Sequence, residues 1–289
     1  MSEFPTAGLV PTTTAIMEST RAKRSRWLIV AAVGWVGFFV MAVWMWRSGE
    51  PTPLDNTVLA SMVAVRTTAL DVAATTLTEL GSFRVVAVVT AVIAGVLVWR
   101  TRNLLLPLTL VITMVETSSI VYLSKEVVGR ARPPITTLIG PPATDPSFPS
   151  GHTTSGSVVW VLGALLLAST LIQPWARRLV IVAGAALAVV IGMTRAYLGY
   201  HWATDVLGGW LLATAICTTA IYLAIRLAPH TDMLTFGRSD PFSDTSVVDA
   251  ASQRPAGLRS TVTPADVSAP AAEATVTSST RRPPSAPRR

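Results

Sequence analysis

Six apolar runs, each close to the length of a bilayer-crossing helix, leave this chain few choices of fold. They cover 27–46, 83–99, 104–124, 153–173, 178–198 and 203–226. A helix needs about 20 apolar residues to cross about 30 Å of hydrocarbon, where its backbone polar groups can find partners only within the segment. Of 289 residues, 51% are apolar and 13% charged, about half the charged share of a soluble domain. Residues 27–228 carry only 20 of the 39 charged side chains. Such a middle could not clothe its own surface in polar groups, which excludes a soluble enzyme and, for the same span, a disordered or fibrous chain. The expected fold class is all-α: a polytopic membrane bundle of six transmembrane helices with a disordered C-terminal tail.

Three segments follow. Residues 1–26 end in Arg21, Lys23, Arg24 and Arg26 and read as a cytoplasmic N-terminal segment. The run after them is longer than the roughly 7–15 residues of a signal-peptide core and lacks a small-x-small cleavage site, so it is expected to stay as a helix. Residues 27–228 form the membrane domain. Within it, 50–82 is amphipathic, with Glu50, Asp55, Arg66, Asp71 and Glu79, and is expected to be an extramembrane loop with one interfacial helix. Residues 229–289, with eight prolines and no apolar periodicity, read as a disordered cytoplasmic tail. The single Cys217 cannot form an internal disulfide. The net charge of +7 falls at the edges of apolar runs, a membrane pattern and not a nucleic-acid footprint.

Lys/Arg asymmetry sets the orientation. With the N-terminus cytoplasmic, Arg100, Arg102, Arg177, Arg178 and Arg226 lie inside. Lys125, Arg130, Arg132 and Arg195 then lie outside and break the rule. These exceptions share one layer with Pro149-Ser150-Gly151-His152, which opens the fourth span, and with His201 and Asp205, which open the sixth. Snorkelling anchors would explain any one of the cations alone, and a lone histidine at a helix end is more often structural. Together on one membrane face they make a pocket for a small oxyanion. Arginine matches phosphate bidentately and lysine adds a point charge. Ser150-Gly151 begins a helix, whose free N–H groups favour an anion. His201 and Asp205, four apart, share a helix face at about 5–6 Å between Cβ atoms. The carboxylate can fix the imidazole tautomer and leave the other nitrogen free to attack, while His152, from another helix, can protonate a leaving oxygen. Glu116, inside the third span, is expected to make an interhelical hydrogen bond; Arg130, Glu126 and Asp145 receive no role.

Three elements carry a resemblance: Lys125-EVVGRA-Arg132-Pro133, Pro149-Ser150-Gly151-His152 and Thr194-Arg195-AYLGY-His201-WAT-Asp205. They resemble the three-part signature of the type 2 phosphatidic acid phosphatase (PAP2) family, with Thr194 in place of a serine, over roughly residues 50–226. The resemblance implies an integral membrane lipid phosphate phosphatase. His201 would be the nucleophile that forms a phosphohistidine, oriented and charge-balanced by Asp205. His152 would be the general acid and then the base for water. Lys125, Arg132, Arg195, Ser150 and the Gly151 amide would hold the phosphoryl oxygens, with no metal or other cofactor. The partners implied are a lipid phosphate in the bilayer and the membrane itself, with the site on the extracytoplasmic face. The Ala/Val/Arg-rich, Lys-poor composition suggests a high-GC bacterial genome. That leans mildly toward a polyprenyl diphosphate such as undecaprenyl diphosphate over phosphatidate or phosphatidylglycerophosphate. A lipid phosphotransferase and a small non-enzymatic transporter are the competing readings; a soluble vanadium haloperoxidase is disfavoured by the six spans.

Overall fold

The computed structural model describes residues 13–227, with side chains from Ser25 onward. The expected tail and residues 1–12 of the N-terminal segment lie outside these residues. Nine α-helices make up the described part: α1 (Thr13–Ser48), α2 (Pro53–Ala64), α3 (Thr68–Thr78), α4 (Phe83–Thr101), α5 (Leu105–Val128), α6 (Gly151–Ser157), α7 (Gly163–Ser169), α8 (Pro174–Tyr197) and α9 (Ala203–Leu227). A π-helical turn, Val158–Leu162, joins α6 to α7 into one span. Six helices are long and apolar enough to cross a membrane: α1 from Ser25, α4, α5, the α6–α7 rod, α8 and α9. The protein is a multi-pass membrane bundle. Its outer face carries large apolar side chains such as Phe83 (77% exposed) and Trp99 (67%), which only lipid would cover at low cost.

Burial ranks the spans. The α6–α7 rod and α9 are 61% buried and form the centre, whereas α1 and α4 are 22% buried and lie outside. The core joins Leu97, Leu110, Val158, Leu162 and Leu212 with Phe148 from the loop before α6. α1 packs along α9 more extensively than any other pair of elements. The close approach uses small residues: a Cβ on Gly34 would sit 2.9 Å from the Ala215 nitrogen, as expected where helices associate in lipid. Trp35 Nε1 donates to Thr219 Oγ1 across the same seam at 3.1 Å.

Residues 50–82 differ from expectation. They fold into two helices, α2 and α3, with a 3-10 turn at Glu79–Gly81, in place of one interfacial helix. The reason is local. Thr52 and Asp55 close a capping box with Pro53 at the first helical position, and Thr67 caps a second start at Leu70 N.

The ends of α1, α5 and α8 and the starts of α4, α6 and α9 meet on one side, so the loops 49–82, 129–150 and 198–202 share it. Backbone and side chains knit these loops together. Arg66 Nη2 donates to the carbonyls of Thr137 (2.8 Å) and Tyr197 (2.6 Å), and Ile139 N donates to Leu198 O at 2.9 Å. Gly199 sits where they cross at φ +77°, with the Thr137 carbonyl in the space a Cβ would take; an L side chain there would be strained as well as crowded.

Candidate active site

The layer forms because three pairs of helix ends meet. Lys125 is in the last turn of α5, Arg195 in the last turn of α8, and Asp205 in the first turn of α9. Asp205 is the third residue of α9, and its Oδ2 accepts from Trp202 N at 2.9 Å. It thereby caps the helix that carries it, with its charge at the positive end of the dipole. Oδ2 also accepts a short hydrogen bond from Ser147 Oγ.

His201 is buried, its Nδ1 3.5 Å from Asp205 Oδ2 and its Nε2 3.5 Å from Arg132 Nη1. A guanidinium only donates, so the ring proton is assigned to Nδ1, toward Asp205, and Nε2 keeps its lone pair. Burial holds the ring well below the usual histidine value, to about 3, with Asp205 opposing and Arg195 and Arg132 adding to the shift. The imidazole is neutral at neutral pH, the form a nucleophile needs.

Arg132 Nη1 also donates to Tyr200 O at 2.7 Å, and its Nε to Asp145 O at 2.8 Å. Lys125 Nζ lies 2.8 Å from Asp145 Oδ2 and makes a short bond to Pro146 O. Arg195 Nη1 donates to Thr78 Oγ1 at 3.0 Å, and its guanidinium lies 3.9 Å over the Tyr200 ring. Its Nε is buried with no partner among the described residues, leaving a fixed donor for an anion. Ser150 is fully buried at the start of α6, and its Oγ accepts from Thr153 N (3.4 Å) and Thr153 Oγ1 (2.9 Å). Gly151 and His152 follow in the first turn, whose amides have no partner within the helix. His152 is half-buried and close enough to Arg195, Lys125 and Arg132 for their charges to act on it. All eight residues singled out from the sequence thus sit in one layer at one end of the bundle.

Two further acids and one arginine belong to the layer without having been assigned from sequence. Arg130 is 2% exposed. Its Nη1 lies 2.6 Å from Asp205 Oδ1, and its Nη2 lies 2.7 Å from Asp55 Oδ2. Burial would raise the Asp55 carboxyl, but the N–H groups of Thr204 and Thr52 and the Arg130 guanidinium hold it below the usual carboxylate range. Asp145 bridges Lys125 and Arg132. Burial acts to raise its carboxyl too, yet those two cations pull it down to about 2. The available signal for Asp55 was the Thr-Pro-x-Asp cap; nothing local marked its long-range partner.

Glu116 departs from expectation. Among the described residues it makes no interhelical hydrogen bond; it lines an apolar groove with Trp35, Ile112, Ile216 and Thr219, away from the charged layer. It is exposed on the bundle's flank, so no facing helix brings it a polar partner. Among the described residues no group of three or more His, Cys, Asp or Glu could hold a metal ion.

Residues 104–228, which contain all three motifs, match the PAP2 superfamily model. The crystal structure of a transmembrane PAP2 type phosphatidylglycerolphosphate phosphatase from Bacillus subtilis superposes with a TM-score of 0.61. It is 22% identical, over 68% of this chain and 98% of that one, so the likeness concerns the fold. Among curated proteins, an undecaprenyl-diphosphatase of Sulfolobus acidocaldarius is 33% identical over 43% of this chain and 57% of its own. Phosphatidylglycerophosphatase B of Bacillus subtilis is 38% identical over 30% and 43%, and lipid A 1-phosphatase of Rhizobium etli 36% over 40% and 52%. The chain therefore spans about half the length of the curated relatives it matches.

Proposed function

We propose that the protein is an integral membrane phosphatase that hydrolyses a phosphate monoester or diphosphate of a bilayer-anchored lipid. The observation that carries this reading is the meeting of Lys125, Arg132 and Arg195 with a buried, neutral His201 whose Nδ1 faces Asp205. The names of the relatives, all phosphatases of membrane lipids, support the same class.

In the proposed reaction, Lys125, Arg132, Arg195, the Ser150 hydroxyl and the Gly151 amide hold the phosphoryl oxygens. His201 Nε2 attacks phosphorus, and the bond to the lipid oxygen breaks as His152 protonates that oxygen. Asp205 stabilises the imidazolium character that develops on His201. A water, deprotonated by His152, then attacks the phosphohistidine and releases phosphate, and His201 returns to its neutral form. The protein's contribution is mostly charge stabilisation and positioning, as in other phosphoryl transfers. A phosphate pocket at the bundle end suits a substrate anchored at bilayer level. A polyprenyl diphosphate is mildly favoured over phosphatidate or phosphatidylglycerophosphate, on composition alone. The site is assigned to the extracytoplasmic face and both termini to the cytoplasm, from the Lys/Arg asymmetry of the loops.

Phosphate release from a panel of lipid phosphates by the purified protein, with and without chelator, tests this. Release of free phosphate without an added acceptor alcohol supports hydrolysis. Turnover only with an acceptor would make the protein a phosphotransferase, and binding or flux without phosphate release would make it a transporter.

A further inference from the structure

Asp145 occupies the place where two cations of the layer converge. Its Oδ2 lies 2.8 Å from Lys125 Nζ and its Oδ1 2.9 Å from Arg132 Nη2. One carboxylate thus spans both groups with two separate oxygens, as two oxygens of a phosphoryl group would. We propose that Asp145 is an intramolecular stand-in for the phosphoryl group, holding Lys125 and Arg132 until a lipid phosphate displaces it and so setting substrate affinity. The proposal rests on the reading of Lys125 and Arg132 as phosphate ligands.

Three features set Asp145 apart from the other acids of the layer. First, its side chain is 54% exposed, whereas those of Asp55 and Asp205 are fully buried. It can turn into solvent without leaving an unpaired charge in the protein interior. Second, the chain around it is anchored independently of the carboxylate. Asp145 O accepts from Arg132 Nε at 2.8 Å, Pro146 O accepts from Lys125, and Ser147 N donates to Arg130 O at 2.8 Å. A side-chain rotation alone would free the two cations while these backbone bonds keep them aimed. Third, Arg195, the remaining proposed phosphate ligand among the cations, has no carboxylate in hydrogen-bond contact among the described residues; its partners are Thr78 and the Tyr200 ring. A substrate could meet Arg195 first and then exchange with Asp145. The alternative is a permanent clamp, in which Asp145 orients Lys125 and Arg132 during binding. The two differ in sign: removing a competitor tightens anion binding, and removing a clamp weakens it.

The test uses the purified full-length protein in detergent, with orthovanadate and inorganic phosphate as probes. Their affinities are measured by calorimetry for the wild type, Asp145→Asn, Asp145→Ala and Lys125→Ala. If the competing carboxylate occupies most molecules, both Asp145 variants should bind about tenfold more tightly, since apparent affinity scales with the open fraction. KM for dioctanoyl phosphatidate should fall in parallel, with kcat moving by less than about twofold, because the competitor is displaced before chemistry. Unchanged or weaker anion binding in both Asp145 variants, with binding lost in Lys125→Ala, overturns the inference and leaves the phosphate site standing. Anion binding by none of the four proteins removes the site reading itself. Thermal unfolding is followed in parallel; if both Asp145 variants fail to fold, the residue is a structural clamp and the inference fails.

Discussion

Arg130 Nη1 lies 2.6 Å from Asp205 Oδ1, both side chains fully buried, and the same guanidinium reaches Asp55 at 2.7 Å. One arginine therefore ties the carboxylate that faces His201 to an acid on α2. Thr204 completes the cluster, its backbone N donating to Asp55 Oδ1 at 2.8 Å and its Oγ1 accepting from Arg130 at 2.7 Å. Removing one partner of such a pair leaves an uncompensated buried charge, which costs about 3–5 kcal/mol. Arg130→Gln should lower the thermal unfolding temperature of the detergent-solubilised protein clearly, and Asp55→Asn should do so in the same direction. Unchanged melting in both would show that the buried ion pairs do not hold the loops together.

His201 and Asp205 are expected to act as a unit. His201→Ala should abolish lipid phosphate turnover. Asp205→Asn keeps the shape but removes the charge that stabilises the ring, and a drop in kcat of about 10²–10⁴ is expected, by analogy with carboxylates that orient catalytic histidines elsewhere. Single-turnover assays with radiolabelled lipid phosphate, quenched in alkali, should trap a phosphoprotein in the wild type and none in His201→Ala. Substantial activity in His201→Ala would refute the assigned nucleophile.

The pH dependence has a definite sign. His201 stays neutral in the folded protein down to about pH 3, whereas an unfolded histidine takes up a proton near pH 6.5. Below that value the unfolded state binds more protons than the folded state, so stability falls as the pH drops from about 6.5 toward 3. Melting measured at pH 7 and pH 5 should show this loss, and His201→Gln should reduce it. A fall with acid that is identical in His201→Gln would assign it to other groups.

Activity should show a different limb. Across pH 5–8 the nucleophile is already neutral, and the negative charge of a bound phosphate favours a proton on the neighbouring His152, so a fall in kcat with rising pH belongs to that acid in the substrate complex. The His152→Gln protein should lose this limb. On an activated aryl phosphate, whose leaving group needs no proton, it should keep a fast first burst of leaving-group release but turn over slowly, because His152 also deprotonates the attacking water. A pH-independent wild-type profile over this range would count against His152 as the acid.

Gly199 is a structural control on the loop that carries His201. With φ at +77° and the Thr137 carbonyl in the space a Cβ would take, Gly199→Ala should destabilise by at least about 1–2 kcal/mol from the left-handed conformation alone. It should also lower turnover by displacing the 198–202 loop. Wild-type melting and turnover in this variant would show that the loop crossing tolerates movement.

Local pattern was enough to read the six spans, because a bilayer admits so few ways to satisfy a backbone. Once the spans are counted, up-and-down connection puts Lys125, Arg132, His152, Arg195, His201 and Asp205 at one end. Which charges pair within that layer was not legible. Arg130 is 75 residues from Asp55 and 75 from Asp205, and no periodicity or spacing links them. The same holds for Asp145 with Lys125, and for Arg66 with Tyr197. An ion pair is made by two side chains whose backbones happen to approach, and its energy depends on the burial that the assembled helices create around it. The amino-acid order determined the spans and the ingredients of the layer; only helix packing decided that Arg130 is a buried hub and that Asp145 sits on the cations.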